Sequence, residues 1–151
     1  VWGLPFFLAG LALTLARRDG RTLMALWRLA LAILLASVVA VNVLKPSLDR
    51  ARPFETHADI TGVGRLAGGS SMPSGHAATA VAGAFGLALL WPAGRALAWA
   101  LAALIFFSRM YLGFHYPTDL IVGGLVGWAG AYFATAATRA AVPAAAASRT
   151  A

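Results

Sequence analysis

Residues 22–44, T-L-M-A-L-W-R-L-A-L-A-I-L-L-A-S-V-V-A-V-N-V-L, form an apolar run longer than the ~20 residues a helix needs to cross a bilayer. Arg28 lies near one end, where its stem can carry the charge to the interface, and Lys45 closes the run. The whole chain agrees with this reading. Of 151 residues, 60% are hydrophobic and 11% charged, and the mean hydropathy is +0.77, far from a soluble domain. This is an integral membrane protein of a length that suits one compact bundle, with its polar groups buried between helices.

Working outward, residues 1–16 are apolar but fall short of a full span, so the chain is expected to begin inside a helix. The first residue is Val, which fits a trimmed N-terminus, and Arg17-Arg18 follow the apolar run, the reverse of a signal peptide. Arg17 to Arg21 make a turn. Downstream, 74–91 is a span rich in Ala and Gly, suited to close helix approach, and Trp91-Pro92-Ala93-Gly94-Arg95 is a turn with an interfacial Trp. Residues 96–112 and 120–138 supply two more spans, with Pro117 suited to the first helical position. The fold class is therefore all-α, a polytopic transmembrane helix bundle of about five spans. Residues 1–140 form one domain, and 141–151 are an Ala-rich tail expected to fray.

The formal net charge of +7 does not point to nucleic acid, because the basic residues are scattered among apolar runs. They report topology instead. With alternating helices, Arg17, Arg18, Arg21, Arg95, Arg139 and Arg149 share one side, in short turns and near span ends where the positive-inside rule applies. That side is expected in the cytoplasm. Lys45, the polar loop 46–73, Arg109 and His115 then share the extracytoplasmic face. Cysteine is absent, which excludes disulfides and thiolate metal sites. Glu55, His57 and Asp59 match no strong ligand spacing and read as a solvated loop, so no metal is expected. The surrounding 54–72 is expected near the mouth of a site. Trp91, Trp99 and Trp128 read as interfacial or packing aromatics.

Three clusters meet on the extracytoplasmic face. Lys45-x6-Arg52-Pro53 offers two cations, with a kink or fresh helix start at Pro46; alone it would be a juxtamembrane basic patch. Pro73-Ser74-Gly75-His76 precedes an apolar helix: Pro73 restricts Met72, Ser74 can cap, and Gly75 lets an anion approach free N–H groups at the positive helix end. Alone it would be a plain helix start. Ser108-Arg109-x5-His115-x3-Asp119 sets a His and an Asp at i and i+4 around the start of a helix, where the dipole favours a carboxylate. Alone it would be an interfacial salt bridge. Their shared face and complementary chemistry point to one phosphate site.

These three motifs, with Asp49-Arg50-Ala51-Arg52-Pro53-Phe54 and Tyr111-Leu112-Gly113-Phe114-His115-Tyr116-Pro117 around them, resemble the type 2 phosphatidic acid phosphatase superfamily. The resemblance covers Lys45 to Asp119, and the flanking stretches look like the membrane-bound bacterial lipid phosphatases, undecaprenyl pyrophosphate phosphatases among them. Membrane members usually have six spans with both termini cytoplasmic, as though the first helix were missing here. The resemblance implies that His115 attacks phosphorus to give a phosphohistidine while Asp119 fixes its tautomer. Lys45, Arg52 and Arg109 would hold the non-bridging oxygens, with Ser74 and the Gly75 N–H completing the cradle. His76 would protonate the leaving group and then activate water.

The expected function is metal-independent lipid phosphate or pyrophosphate hydrolysis at the outer face of a plasma (inner) membrane, with lipid phosphate as substrate, membrane lipids as surroundings and no cofactor. Two alternatives use the same pocket: a lipid-linked phosphotransferase, and a non-catalytic lipid head-group binder, which would not need an oriented nucleophile and acid. A soluble vanadate-type peroxidase is disfavoured by the long uncharged spans.

Overall fold

The computed structural model describes residues 3–62 and 68–140, without the side chains of 138–140. Val1, Arg65 of the polar loop, Arg149 and the Ala-rich tail 141–151 lie outside the described residues, as does the side chain of Arg139. The described chain runs through α1 (Leu4–Arg17), α2 (Gly20–Val38), α3 (Lys45–Leu48), α4 (Pro53–Thr56), α5 (Gly75–Leu90), α6 (Arg95–Tyr111) and α7 (Pro117–Ala140). The five long helices coincide with the five expected spans. Gly20–Thr56, Pro92–Tyr111 and Pro117–Ala137 are each long and apolar enough to cross a membrane, while α1 and α5 are shorter apolar helices.

Local chemistry sets the helix ends. Arg18 takes a left-handed conformation (φ 51°) that stops α1, and Asp19 caps α2 by accepting from the Thr22 N–H at 2.7 Å and its hydroxyl at 2.6 Å. At its far end α2 does not simply stop. Val39–Leu44 continue as a π-helical turn, and α3 restarts at Lys45 with Pro46 in its first turn. Proline lacks an N–H and crowds the carbonyl four residues back, and the wider turn is one way a helix carries on past it.

The centre of the bundle is α5. Ala77, Ala78, Ala80, Ala82 and Ala84 are all fully buried, and α1, α2, α6 and α7 each pack against this helix. Small residues permit the close fit. A Cβ added at Gly123 or Gly127 of α7 would overlap the carbonyl oxygens of Ser74 or Ala78, so the two backbones touch directly. Outward-facing side chains are apolar: Trp27, Leu97, Leu104 and Leu125 are each more than 60% exposed, the pattern of a surface that meets lipid rather than water. At one end Arg17 donates to the Leu90 carbonyl at 3.2 Å, joining the α1 and α5 termini. The three polar clusters lie at the opposite end.

Candidate active site

The turn between α6 and α7 delivers His115. Gly113 N–H donates to the Met110 carbonyl (2.9 Å) and Phe114 N–H to that of Arg109 (3.1 Å), the paired bonds of a Schellman stop. Gly113 has φ +72°, and a Cβ there would come within 2.8 Å of the Ile60 side chain, so glycine is needed on both counts. The stop leaves Arg109 in the last turn of α6 and turns Phe114 and His115 inward, both buried. Pro117 then opens α7, and Asp119 in its first turn accepts from the Tyr116 N–H at 2.8 Å.

Asp119 is completely buried and its two oxygens are used differently. Oδ2 accepts from Tyr116 N–H and from the Ser71 hydroxyl at 2.5 Å, and it lies 3.7 Å from His115 Nδ1. That is contact across an ion-pair distance and longer than a hydrogen bond. Oδ1 accepts from Arg50 at 2.8 Å. Burial, then the positive charges of Arg52 and Lys45, push the His115 imidazole down to about 4, against the opposing pull of Asp119 and of the Ser71 backbone. The ring is thus neutral at ordinary pH, with Nδ1 facing a carboxylate.

The first cluster comes to the same place by way of the loop. Lys45 Nζ and Arg52 Nη2 both donate to the Ser70 carbonyl, at 2.5 and 3.3 Å. Arg52 is buried and also donates to the carbonyls of Gly69 (3.2 Å), Gly68 (3.5 Å) and Phe114 (3.1 Å). Four of its donor contacts are therefore spent on backbone, and a guanidinium has five N–H groups. Residues 68–70 thus lend their carbonyls to the cations of the first cluster. His57 is exposed, with its ring 6.2 Å from that of Tyr116.

The second cluster joins through α5. Ser74 is fully buried and caps the helix by accepting from the Ala77 N–H (3.3 Å), while its own N–H donates to the Asp119 carbonyl (3.0 Å). The first turns of α5 and α7 are thereby fastened together. Gly75 begins α5 and is buried, and the Met72–Pro73 peptide before it is cis. His76 Nε2 lies 3.3 Å from Arg109 Nη1, and because a guanidinium only donates, this nitrogen is the acceptor. Arg109 also sits 5.7 Å from the Phe114 ring centroid.

All eight residues singled out from the sequence thus gather at one end of the bundle. Two of their partners were not singled out. Arg50 was quoted only as a neighbour of Arg52, yet it bonds Asp119; Ser71 fell unnamed within the polar loop 46–73, yet it does the same. A signal was available for Arg50: a buried carboxylate needs more compensation than one histidine provides. None was available for Ser71, whose role depends on how loop 68–72 folds back.

Comparison with known proteins gives the family. The chain is 33% identical over 117 residues to the lipid A 4'-phosphatase of Bacteroides thetaiotaomicron, an alignment that covers 69% of this chain and 49% of that protein. It is 41% identical over 66 residues to the phosphatidylglycerophosphatase B of Escherichia coli K12, covering 40% and 26%. The chain spans about half the length of the first relative. The crystal structure of Aquifex aeolicus LpxE superposes with a TM-score of 0.68 at 26% identity, over 89% of this chain and 83% of that one. The PAP2 superfamily model matches residues 25–143, from the second turn of α2 past the end of α7, and so takes in all three clusters: this chain belongs to the PAP2 superfamily.

Proposed function

We propose that this protein hydrolyses lipid phosphates or pyrophosphates through a phosphohistidine, without a metal ion. The observation that carries the reading is His115: a buried, neutral imidazole with Nδ1 toward Asp119, in the field of Lys45 and Arg52. A structural histidine needs no such surroundings. Binding alone would use the cations but not an oriented nucleophile.

In this reading His115 Nε2 attacks phosphorus as the bond to the leaving oxygen breaks, and His76 gives that oxygen a proton. Asp119 stabilises the positive charge that develops on the His115 ring. His76, now a base, takes a proton from water; the hydroxide attacks the phosphohistidine, which releases phosphate and restores His115. Arg109 must leave His76 Nε2 to grip the phosphate, and the freed nitrogen takes up the proton of the incoming phosphate monoanion, which it then gives to the leaving oxygen before acting as the base toward water. Lys45 and Arg109 hold the non-bridging oxygens, with Ser74 and the Gly75 N–H at the helix end. Arg52 acts chiefly through its charge, because its donors are largely committed to carbonyls. These groups supply the charge stabilisation that Mg²⁺ gives in other phosphoryl-transfer enzymes.

The named relatives are phosphatases of lipid A and of a glycerophospholipid, which favours a lipid substrate. The arginines at the far end, Arg17, Arg18, Arg21 and Arg95, favour a cytoplasmic position for that end of an inner-membrane bundle and an extracytoplasmic one for the site. The test is phosphate release in detergent from undecaprenyl pyrophosphate, phosphatidic acid, phosphatidylglycerol phosphate and lipid A side by side. His115→Ala and His76→Ala should each abolish release while the protein still folds, and an alkaline quench should trap phosphate on His115. Unchanged turnover in the His115 variant would sink the mechanism, and transfer to an added lipid acceptor with little free phosphate would favour a phosphotransferase.

A further inference from the structure

We propose that Arg50 is a positioning residue: by fixing the plane of the Asp119 carboxylate it sets which ring nitrogen of His115 carries the proton. The inference rests on the phosphohistidine reading above for its effect on turnover, but not for its effect on the imidazole.

The geometry is specific. Arg50 Nη1 donates to two oxygens of α7, the Thr118 hydroxyl at 2.7 Å and Asp119 Oδ1 at 2.8 Å, and lies 4.0 Å from the Met72 Sδ. Its guanidinium carbon lies 4.2 Å from the Tyr116 ring centroid, a cation–π distance. The backbone beneath is tied down as well: Arg50 N–H donates to Ser70 Oγ (3.1 Å), and its carbonyl accepts from Ser71 N–H (2.7 Å). The guanidinium therefore approaches Asp119 from a fixed origin and in a fixed plane.

The need for it follows from counting donors. Ser71 Oγ and Tyr116 N–H both bond Oδ2, so together they hold one oxygen and leave the carboxylate able to pivot about it. Among the described residues, the hydrogen bonds to Oδ1 come from Arg50. That bond fixes the rotation, and the rotation decides whether an in-plane lone pair of Oδ2 points at His115 Nδ1 across the 3.7 Å gap. An ionised carboxylate only accepts, so a facing Oδ2 favours the proton on Nδ1 and leaves Nε2 with the lone pair that attacks. Lys45 and Arg52 also act on this carboxylate by charge, but their side-chain hydrogen bonds go to backbone carbonyls, so neither can define its plane.

The test uses the purified chain in detergent with ¹⁵N-labelled histidine. There are three histidines, and His115 is assigned by its loss in His115→Ala. Wild type should show His115 protonated on Nδ1; Arg50→Met should give a mixture of tautomers, and Arg50→Lys should fall between. In the phosphate-release assay, Arg50→Met should lower kcat by about tenfold to a hundredfold, the range for residues that orient a reacting group through a partner, with KM changed by less than about twofold. Arg50→Lys should recover part of the loss. An unchanged tautomer in Arg50→Met overturns the proposal, and so does a raised KM with kcat unchanged, which would set Arg50 on the phosphate. If the wild type releases no phosphate from any lipid, the hydrolase reading fails while the tautomer measurement still decides the role of Arg50.

Discussion

Gly123 and Gly124 are neighbours on α7 with opposite surroundings, and Gly123→Ala should disable the site where Gly124→Ala does not. A Cβ at Gly123 overlaps the Ser74 carbonyl oxygen and comes within 3.0 Å of the Ala77 Cβ and 3.2 Å of the Ser74 carbonyl carbon. Carbon contacts are comfortable at ~3.5–4.0 Å, so α7 must move from α5 by roughly 1 Å. The displaced backbone is the one that joins Ser74 N–H to the Asp119 carbonyl at 3.0 Å. Stretching that buried bond by the same amount breaks it, at about 1–3 kcal/mol, with overpacking strain of about 1–3 kcal/mol besides. Misplacement of a reacting group by ~1 Å can lower turnover by ~10²-fold. At Gly124 the nearest atom is the tip of the Phe106 ring at 3.3 Å, which a small ring movement relieves. The assay is phosphate release together with thermal unfolding in detergent. Full activity in Gly123→Ala, or an equal loss in Gly124→Ala, would refute the claim that backbone contact between α5 and α7 holds the site together.

Three further outcomes are expected. Because the His115 pKa is lowered from 6.5 to about 4, the ring stays neutral until pH falls that far; the limb of kcat/KM due to its protonation should lie near pH 4, and stability from this group should be lost as pH falls from 6.5 towards 4. Lys45→Met removes a charge that lowers this pKa and should move the limb upward; a wild-type limb at 6.5 would contradict the burial argument. Gly113→Ala should cost about 1–2 kcal/mol for a left-handed non-glycine residue and reduce kcat more than it raises KM, since it shifts His115 and leaves Lys45 in place; a pure KM effect in steady-state kinetics would count against this. Turnover should survive EDTA, and its abolition would count against metal independence.

Much of this was legible because a membrane helix announces itself by length and apolarity, and because burying charge near a bilayer needs a reason. Arg109, His115 and Asp119 at the end of apolar runs were conspicuous on that ground alone. Pro46 likewise foretold an interruption, which takes the form of the π-helical turn at Val39–Leu44. What the sequence could not express is how donors are shared out. Nothing in Lys45-x6-Arg52 says that Arg52 will bond three carbonyls of the 68–70 segment and that of Phe114, or that Ser71 will take a lone pair of Asp119 facing His115. Those bonds link residues 16 to 62 positions apart through a glycine-rich loop without a periodic pattern.

The shortness of α5 bears on how a lipid reaches His76. Sixteen residues at 1.5 Å each make about 24 Å, some 6 Å less than the hydrocarbon thickness of a typical bilayer. With the Trp91–Arg95 turn set at one boundary of such a bilayer, the Ser74–His76 end would lie below the plane of the opposite lipid phosphates unless the bilayer thinned around it. If the proposed reading holds, a lipid would bring its phosphate in sideways while its acyl chains stay immersed. Lifting those chains toward water would cost about 0.8 kcal/mol for each CH₂ exposed. On that reading, a central helix too short to span would spare the substrate an ascent.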